Sequence, residues 1–194
     1  RFGVAVAIDG PLAVVGAGVI GIEYATIFSA LDVKVTLIDP AASVLPFVDQ
    51  ELVDEFVHDL RDRGVTLRLK SKVLRIERSA DSACVVHLED GRQVRSEMVL
   101  YAAGRQGATA ALDLAAAGLS ADARGRLSVD KATFQTSVPH IYAVGDIIGF
   151  PSLASTSMEQ GRISACHAFG EPVHAAPEFF PYGIYSVPEM STIG

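Results

Sequence analysis

Three glycines, Gly16, Gly18 and Gly21, form a GxGxxG pattern, and the acidic residue Asp39 follows further along the chain. In such a loop the first glycine permits a tight turn, the second lets a pyrophosphate approach the backbone, and the third lets a helix pack closely on a strand. A carboxylate at Asp39 would accept a hydrogen bond from a ribose 2′-hydroxyl and would repel a 2′-phosphate. The pattern therefore predicts a dinucleotide site that favours NAD(H). The alternative for the glycines is a turn without a ligand. The separate alternative for Asp39 is that it only forms a turn before Pro40.

The residues after the second glycine are expected to begin a helix. Val19 and Ile20 would then offer free backbone N–H groups, together with the partial positive charge of the helix N-terminus, to the phosphates. Glu23 lies in the first turns of the same helix, in a largely apolar neighbourhood. On pattern alone it is as compatible with an ordinary surface charge as with a place in the site.

A parallel sheet is needed to position these residues, and strand-like and helix-like runs alternate around them. A short apolar run stops at the first glycine, as a buried parallel strand does. Asp49 has the position of a helix N-cap, and Gly64 closes that helix. This is the βαβαβ half of a Rossmann-like, doubly wound α/β fold. Its strands are expected at residues 12–15, 34–38 and 65–69, with helices that begin near residues 19 and 50.

The pattern then changes to alternating apolar and polar residues. Asp90-Gly91 between two such runs is a strong hairpin signal, which predicts an antiparallel three-stranded meander laid over the parallel sheet. Later, a short buried strand ends in Gly145-Asp146, and the prolines after residue 170 predict an extended tail. The remaining elements are expected as strands at 72–78, 82–88, 93–97, 98–102, 127–129 and 141–144, a short helical turn at 112–118 and a helix at 156–169.

The bulk composition excludes several classes of protein. The 194 residues carry a net charge of −7 without a dense basic run, so nucleic acid is not an expected partner. No apolar run approaches the roughly 20 residues of a bilayer span, and no signal peptide is evident, so we expect a cytoplasmic protein without a membrane partner. The two cysteines form no CxxC pair and the five histidines show no metal-ligand spacing, so no metal site is predicted. No GxSxG, HExxH or CxxxxC motif supports hydrolase, zinc-protease or in-chain disulfide chemistry.

Four stretches, in the order in which they occur, resemble the pyridine nucleotide–disulfide oxidoreductases, the glutathione reductase-like flavoproteins. Within that family the third and fourth stretches most resemble the soluble pyridine nucleotide transhydrogenases. Lipoamide dehydrogenases usually have a MLAH-type sequence where this chain has PSLAS. The stretches are VVGAGVIGIEYA at 14–25, LYAAGRQG at 100–107, HIYAVGDIIGFPSLASTSMEQGR at 140–162 and GIYSVPEMSTIG at 183–194.

The resemblance implies hydride transfer between NADH and NADP+ by a homodimeric or higher-oligomeric flavoprotein that is longer than this chain. Its cofactors would be FAD, NAD(H) and NADP(H). The implied domains are an NAD(P)-binding domain at residues 1–120, a returning segment of the FAD-binding domain at 121–170, and a linker with the start of a dimerisation domain at 171–194.

The resemblance also implies roles for particular residues near the flavin. Asp146 would hydrogen-bond the ribityl and phosphate region of FAD, and Leu153, Ala154 and Ser155 would lie beside the flavin. The less favoured alternative is that Asp146 is a structural acid at the end of a strand.

On the nicotinamide side, the family suggests that Glu23 pairs with a lysine from an N-terminal part of the protein, near the contact between nicotinamide and flavin. Gly104 would approach the dinucleotide, and Val73 would border the adenine.

Two departures from the family pattern concern the choice of nucleotide and of subfamily. Relatives that use NADP place arginines in the loop after the second strand, and many transhydrogenases have a basic residue near Ala41. This chain has Pro40, Ala41 and Pro46 there, so tight recognition of NADP(H) is either absent or comes from elsewhere. Val19 stands where glutathione reductases have a tyrosine, which argues against that subfamily. Two alternatives stay open: a disulfide reductase of the lipoamide dehydrogenase or mercuric reductase type, and a non-catalytic NAD(H)-binding module.

Overall fold

The computed structural model describes residue 8, residues 10–172 and residues 179–193. The chain divides into two units: one contains the residues up to Gly104 together with Pro181–Thr192, and the other consists mainly of Arg105–Phe180. The strands are β1 (Leu12–Val15), β2 (Val35–Ile38), β3 (Thr66–Arg68), β4 (Val73–Arg78), β5 (Cys84–Leu88), β6 (Gln93–Ser96), β7 (Met98–Tyr101), β8 (Pro181–Ile184) and β9 (Met190–Ile193). The helices are α1 (Val19–Ala30), α2 (Gln50–Asp62), α3 (Ala154–Phe169) and a single 3-10 turn at Gly145–Ile148.

The first unit is built on a four-stranded parallel sheet with the strand order β3-β2-β1-β7. β1 lies inside this sheet, since it pairs in parallel with both β2 and β7. All four residues of β1 are buried, which explains its continuous apolar sequence. The GxGxxG loop follows β1 directly and therefore leaves from the carboxyl end of an interior strand, where ligands of such sheets bind.

Both faces of this sheet are covered. Val14 and Leu37 lie in one buried cluster with residues of α1 and α2. Ala13 and Ile38 point to the opposite face, where they form a second cluster with Val86 of β5. β5 pairs antiparallel with both β4 and β6. The predicted parallel sheet with an antiparallel three-stranded meander is thus confirmed.

The predicted start of the second helix is confirmed as well. The Asp49 side chain accepts a hydrogen bond from the Glu51 N–H at 2.9 Å and caps α2. Val53, Phe56 and Leu60 form the buried stripe of this helix. Within the described ranges, no helix combines the length and apolar character that crossing a membrane requires.

Several local predictions for the second unit differ from the structure. Residues 127–129 and 141–144 are not strands. The short turn predicted at 112–118 does form, with successive backbone bonds from Ala117 to Leu114 and from Gly118 to Ala115. Tyr142 makes an isolated antiparallel bridge to Gln135, and one bridge does not extend into a ladder. Asp146 consequently lies in a 3-10 turn instead of following a strand. The helix predicted from residue 156 begins two residues earlier, at Ala154.

The tail, predicted as an extended linker, forms a two-stranded sheet of β8 and β9. Residues 173–178, including the proline at 177, lie outside the described residues. Ile184 of β8 is buried in the same cluster as Val14, so residues 181–192 pack as part of the first unit. The assignment of 171–194 to a linker and the start of a dimerisation domain stays a prediction.

Replacing Ile184 by alanine tests whether the tail stabilises the first unit. The side chain is 1% exposed in the main core, and truncating such an isoleucine costs about 2–5 kcal/mol. We therefore expect the urea midpoint of the first unit to fall clearly in Ile184→Ala. Ile193→Ala is the matched control, because Ile193 is 74% exposed and its removal should leave the midpoint nearly unchanged. Equal midpoints for the two variants would show that the tail does not contribute to this core.

Candidate nucleotide-binding sites

The first glycine of the GxGxxG loop is required by the fold. Gly16 has φ 110°, a left-handed value that disfavours other residues. A Cβ atom on Gly16 would collide with the backbone carbonyl of Ala102, just after β7. The Gly16 N–H donates to the Ile38 carbonyl at 2.8 Å. The loop thus turns tightly between the ends of β2 and β7.

Gly21 is tightly packed, whereas Gly18 has open space around it. A Cβ atom on Gly21 would overlap the carbonyl oxygen of Gly16, so this glycine lets α1 lie directly on the turn. Gly18 is exposed, has φ −76°, and a Cβ atom there would meet no atom within 4 Å. The fold therefore does not need a glycine at position 18. A ligand that approaches the backbone does need one.

The first backbone N–H groups of α1 have no partner within the helix. The N-cap residue Gly18 has no capping side chain, and the first turn contains no acidic residue. The first intrahelical bond runs from the Ile22 N–H to the Gly18 carbonyl, at 3.0 Å. The N–H groups of Val19, Ile20 and Gly21 precede it at the positive end of the 12-residue helix. This arrangement suits the pyrophosphate of a dinucleotide.

The Asp39 carboxylate is fixed against the glycine loop. Its Oδ2 accepts a hydrogen bond from the Ala17 N–H at 2.6 Å, and its Oδ1 accepts one from the Ala41 N–H at 2.7 Å. An ionised carboxylate has about four acceptor positions, so two stay available for ribose hydroxyls. The bond from Ala17 keeps the acid beside the glycine loop, and the bond from Ala41 fixes it within its own turn, after the strand that neighbours β1.

Two further predicted residues lie at the same edge of the sheet. Gly104 follows β7, has φ 104° and is exposed. Val73 begins β4, is partly buried and packs against the second buried cluster, to which Ile38 belongs. The preceding loop is tied to the acid, because the Ser71 N–H donates to the Asp39 carbonyl at 3.0 Å. The structure thus gathers the glycine loop, Asp39, Val73 and Gly104 around one edge, while their roles in binding stay predictions.

Glu23 contacts the tail. Its Oε1 accepts a hydrogen bond from the Tyr185 N–H at 3.0 Å, and one turn later Thr26 Oγ1 accepts one from the Val187 N–H at 3.1 Å. Burial, followed by the charge of Glu23, raises the pKa of Tyr182 above its ordinary value. Glu23 is therefore held by the segment after β8, and its proposed pairing with a lysine stays a prediction.

The second unit carries the other predicted acid. Asp146 Oδ2 lies 2.6 Å from Arg105 Nη2, and both side chains are substantially exposed. The neighbouring Gly145 has φ 75°, and its N–H donates to the Gln160 side chain at 2.7 Å. Gln160 is buried on α3, so this bond fixes the turn that bears Asp146 against that helix.

The residues predicted beside the flavin start α3. Leu153 is the N-cap, and its carbonyl accepts the Ser157 N–H at 2.9 Å. Ala154 and Ser155 occupy the exposed first positions of the helix, whose first turn contains no acidic residue. Asp146 and the start of α3 thus belong to one part of the second unit, and their roles beside a flavin stay predictions.

Tyr185 and Arg105 contact the predicted acids but were not themselves predicted from the sequence. Tyr185 contacts Glu23 through its backbone N–H, which every residue except proline has, so the residue type gives no indication of the contact. Arg105 pairs with Asp146. Arg105 is visible in the motif at 100–107, but Asp146 is far along the chain, and residue spacing does not predict that the two side chains pair.

The parallel sheet, the glycine loop at its interior strand and the acid after β2 define a Rossmann-type nucleotide-binding fold. Residues 6–161 match the pyridine nucleotide-disulphide oxidoreductase family, and the chain belongs to this family. The family resemblance inferred from the sequence is thus confirmed.

Among curated proteins, the chain is similar to soluble pyridine nucleotide transhydrogenases. The chain is 52% identical over 183 residues to a soluble pyridine nucleotide transhydrogenase of Mycobacterium bovis, covering 94% of this chain and 39% of the relative. It is 45% identical over 180 residues to a soluble pyridine nucleotide transhydrogenase of Vibrio cholerae, covering 92% of this chain and 38% of the relative. The chain therefore spans about two fifths of the length of the relatives that it matches.

Solved structures show the same fold. LpdA from Mycobacterium tuberculosis superposes with a TM-score of 0.85 at 31% identity, covering 93% of this chain and 39% of that one. The HOCl-induced flavoprotein disulfide reductase RclA from Escherichia coli gives a TM-score of 0.86 at 33% identity, covering 97% of this chain and 43% of that one.

Proposed function

We propose that this chain is the nicotinamide dinucleotide-binding part of an FAD-dependent oxidoreductase that transfers hydride between NADH and NADP+. The whole protein would be a soluble NAD(P)+ transhydrogenase of the Si-specific type. It would be cytoplasmic and would form a homodimer or a higher homo-oligomer. The family membership and the names of the relatives support this proposal.

One observation carries the nucleotide part of the proposal. Gly16 and Gly21 are explained by collisions within the protein, whereas Gly18 faces open space beside the free N-terminus of α1. A glycine that the fold does not need is explained by a ligand that comes close to the backbone. The anchored Asp39 carboxylate then favours the 2′-hydroxyl of NAD(H).

The residues of the second unit fit the proposed flavin. Only one oxygen of the Asp146 carboxylate faces Arg105, so the other can accept a further hydrogen bond. The first N–H groups of α3 have no partner within that helix and lie next to the same turn. Asp146 would accept hydrogen bonds from ribityl hydroxyls, and Leu153, Ala154 and Ser155 would border the ring. The flavin supplies the hydride chemistry when bound, while the protein binds and orients the nicotinamide and excludes water.

A second candidate is a disulfide reductase of the lipoamide dehydrogenase or mercuric reductase type. It is favoured by the likeness to RclA, a flavoprotein disulfide reductase. A non-catalytic NAD(H)-binding module is the candidate from another class, and it would carry no flavin.

Assays of the longer protein that contains this chain would distinguish these functions. We expect a purified yellow protein that reduces thio-NAD+ with NADPH and does not require a disulfide substrate. Faster oxidation of NADH by lipoamide or mercuric ion than by thio-NADP+ would favour the second candidate. A colourless protein that binds NADH would favour the non-catalytic module. The 194-residue chain alone should bind NADH weakly and show no turnover, and turnover without added flavoprotein would contradict that expectation.

A further inference from the structure

A basic segment lies directly beside the acid that is expected to choose the ribose. Three backbone hydrogen bonds join residues 39–41 to residues 68–71. The Asp39 N–H donates to the Arg68 carbonyl at 3.1 Å, the Lys70 N–H donates to the Ala41 carbonyl at 2.9 Å, and the Ser71 N–H donates to the Asp39 carbonyl at 3.0 Å. The end of β3 and the loop after it thus form one wall of the region around Asp39.

This wall carries the cations that the loop after β2 lacks. Residues 40–43 contain no lysine or arginine, whereas Arg68, Lys70 and Lys72 fall within five consecutive positions. Lys72 lies 3.7 Å from Glu89. Lys70 is exposed, and in the part of the chain that the structure describes no carboxylate oxygen lies within 4 Å of its ammonium group. Its backbone has φ 52° and is held by the bond to Ala41.

We propose that Lys70 binds the ribose 2′-phosphate of NADP(H) and is the residue that lets this site accept both nicotinamide dinucleotides. The inference rests on the proposed function, because it needs the adenosine ribose to lie at Asp39. With NADH, Asp39 accepts a hydrogen bond from the 2′-hydroxyl. With NADPH, Lys70 offsets the repulsion between the Asp39 carboxylate and the phosphate, since a lysine is a compact, mobile point charge that commonly binds phosphate.

Calorimetric titration of the 194-residue chain with NADPH and with NADH tests this role. We expect Lys70→Gln to weaken NADPH binding about tenfold, the scale of one charge-assisted contact, and to change NADH binding less than about twofold. Lys70→Arg should restore most of the NADPH affinity. Lys34→Gln is the matched control, because Lys34 is also exposed but precedes β2, at the opposite end of that strand from Asp39. It should leave both affinities unchanged.

The salt dependence gives a second readout. A contact between a lysine and a phosphate weakens as salt is added. Removing the charge of Lys70 should therefore make the NADPH affinity of Lys70→Gln depend less on the KCl concentration than that of the wild type. Equal losses for NADPH and NADH, no loss of NADPH affinity, or the same loss in Lys34→Gln would each overturn the inference. A wild-type chain that binds NADH but not NADPH would overturn it while the proposed NAD(H) site stands. A wild-type chain that binds neither nucleotide would contradict the proposed function itself.

Discussion

A Gly18→Val chain is expected to lose about a hundredfold in NADH affinity while it keeps its fold. The loss corresponds to two charge-assisted hydrogen bonds at roughly 1.4 kcal/mol each, which a branched side chain at position 18 would displace from the pyrophosphate. The backbone tolerates the change, because Gly18 has extended dihedral angles, φ −76° and ψ −177°, and open space where a Cβ atom would lie. Calorimetry with NADH measures the affinity, and circular dichroism reports the fold.

Gly161→Val is the matched control for this experiment. Gly161 lies in α3, and a Cβ atom there would also meet nothing within 4 Å. Its replacement should leave NADH binding unchanged. A Gly18→Ala chain should fall between the wild type and Gly18→Val, because the smaller side chain intrudes less. If Gly18→Val bound NADH as well as the wild type does, the pyrophosphate would not lie at this loop.

Gly21→Ala is expected to have the opposite signature: it should destabilise the fold itself. The added methyl group would overlap the carbonyl oxygen of Gly16, which is backbone and cannot rotate away. Forcing such an overlap requires α1 to move off the turn, at a cost of about 3 kcal/mol or more. Urea denaturation followed by circular dichroism should show a clearly lower midpoint for the first unit.

Gly18→Ala serves as the stability control, since it adds the same methyl group where nothing opposes it. Its urea midpoint should stay close to that of the wild type. The two alanine variants thus separate a glycine that the fold needs from a glycine that the ligand needs. A Gly21→Ala chain as stable as Gly18→Ala would show that α1 does not rest on the turn as described.

The glycine loop and its supporting strands could be predicted because local chemistry specifies them. β1 is apolar throughout and ends at Gly16, Asp49 caps α2, and the alternation around the Asp90-Gly91 turn marks the meander. Each of these signals is contained within a few residues. The parallel order of the sheet then follows from the connections between them.

The parts that sequence could not supply depend on contacts between distant segments. The bond from the Tyr185 N–H to Glu23 joins residues that are far apart in the chain and involves a backbone donor, which every residue type provides. Residues 141–144 are apolar enough for a strand, yet the pairing at Tyr142 stops after one bridge. The approach of Lys70 to Ala41 depends on the pairing of β2 with β3.

An NMR titration of the isotopically labelled 194-residue chain with NADH tests directly whether the dinucleotide binds at the glycine loop. We predict that the backbone amide signals of residues 16–21 shift together and saturably, and that the signal of Ala41, which like Ala17 donates to Asp39, shifts with them. Amide signals that do not move at saturating NADH, or that move only outside the loop and its neighbours, would contradict the claim that this loop binds the dinucleotide.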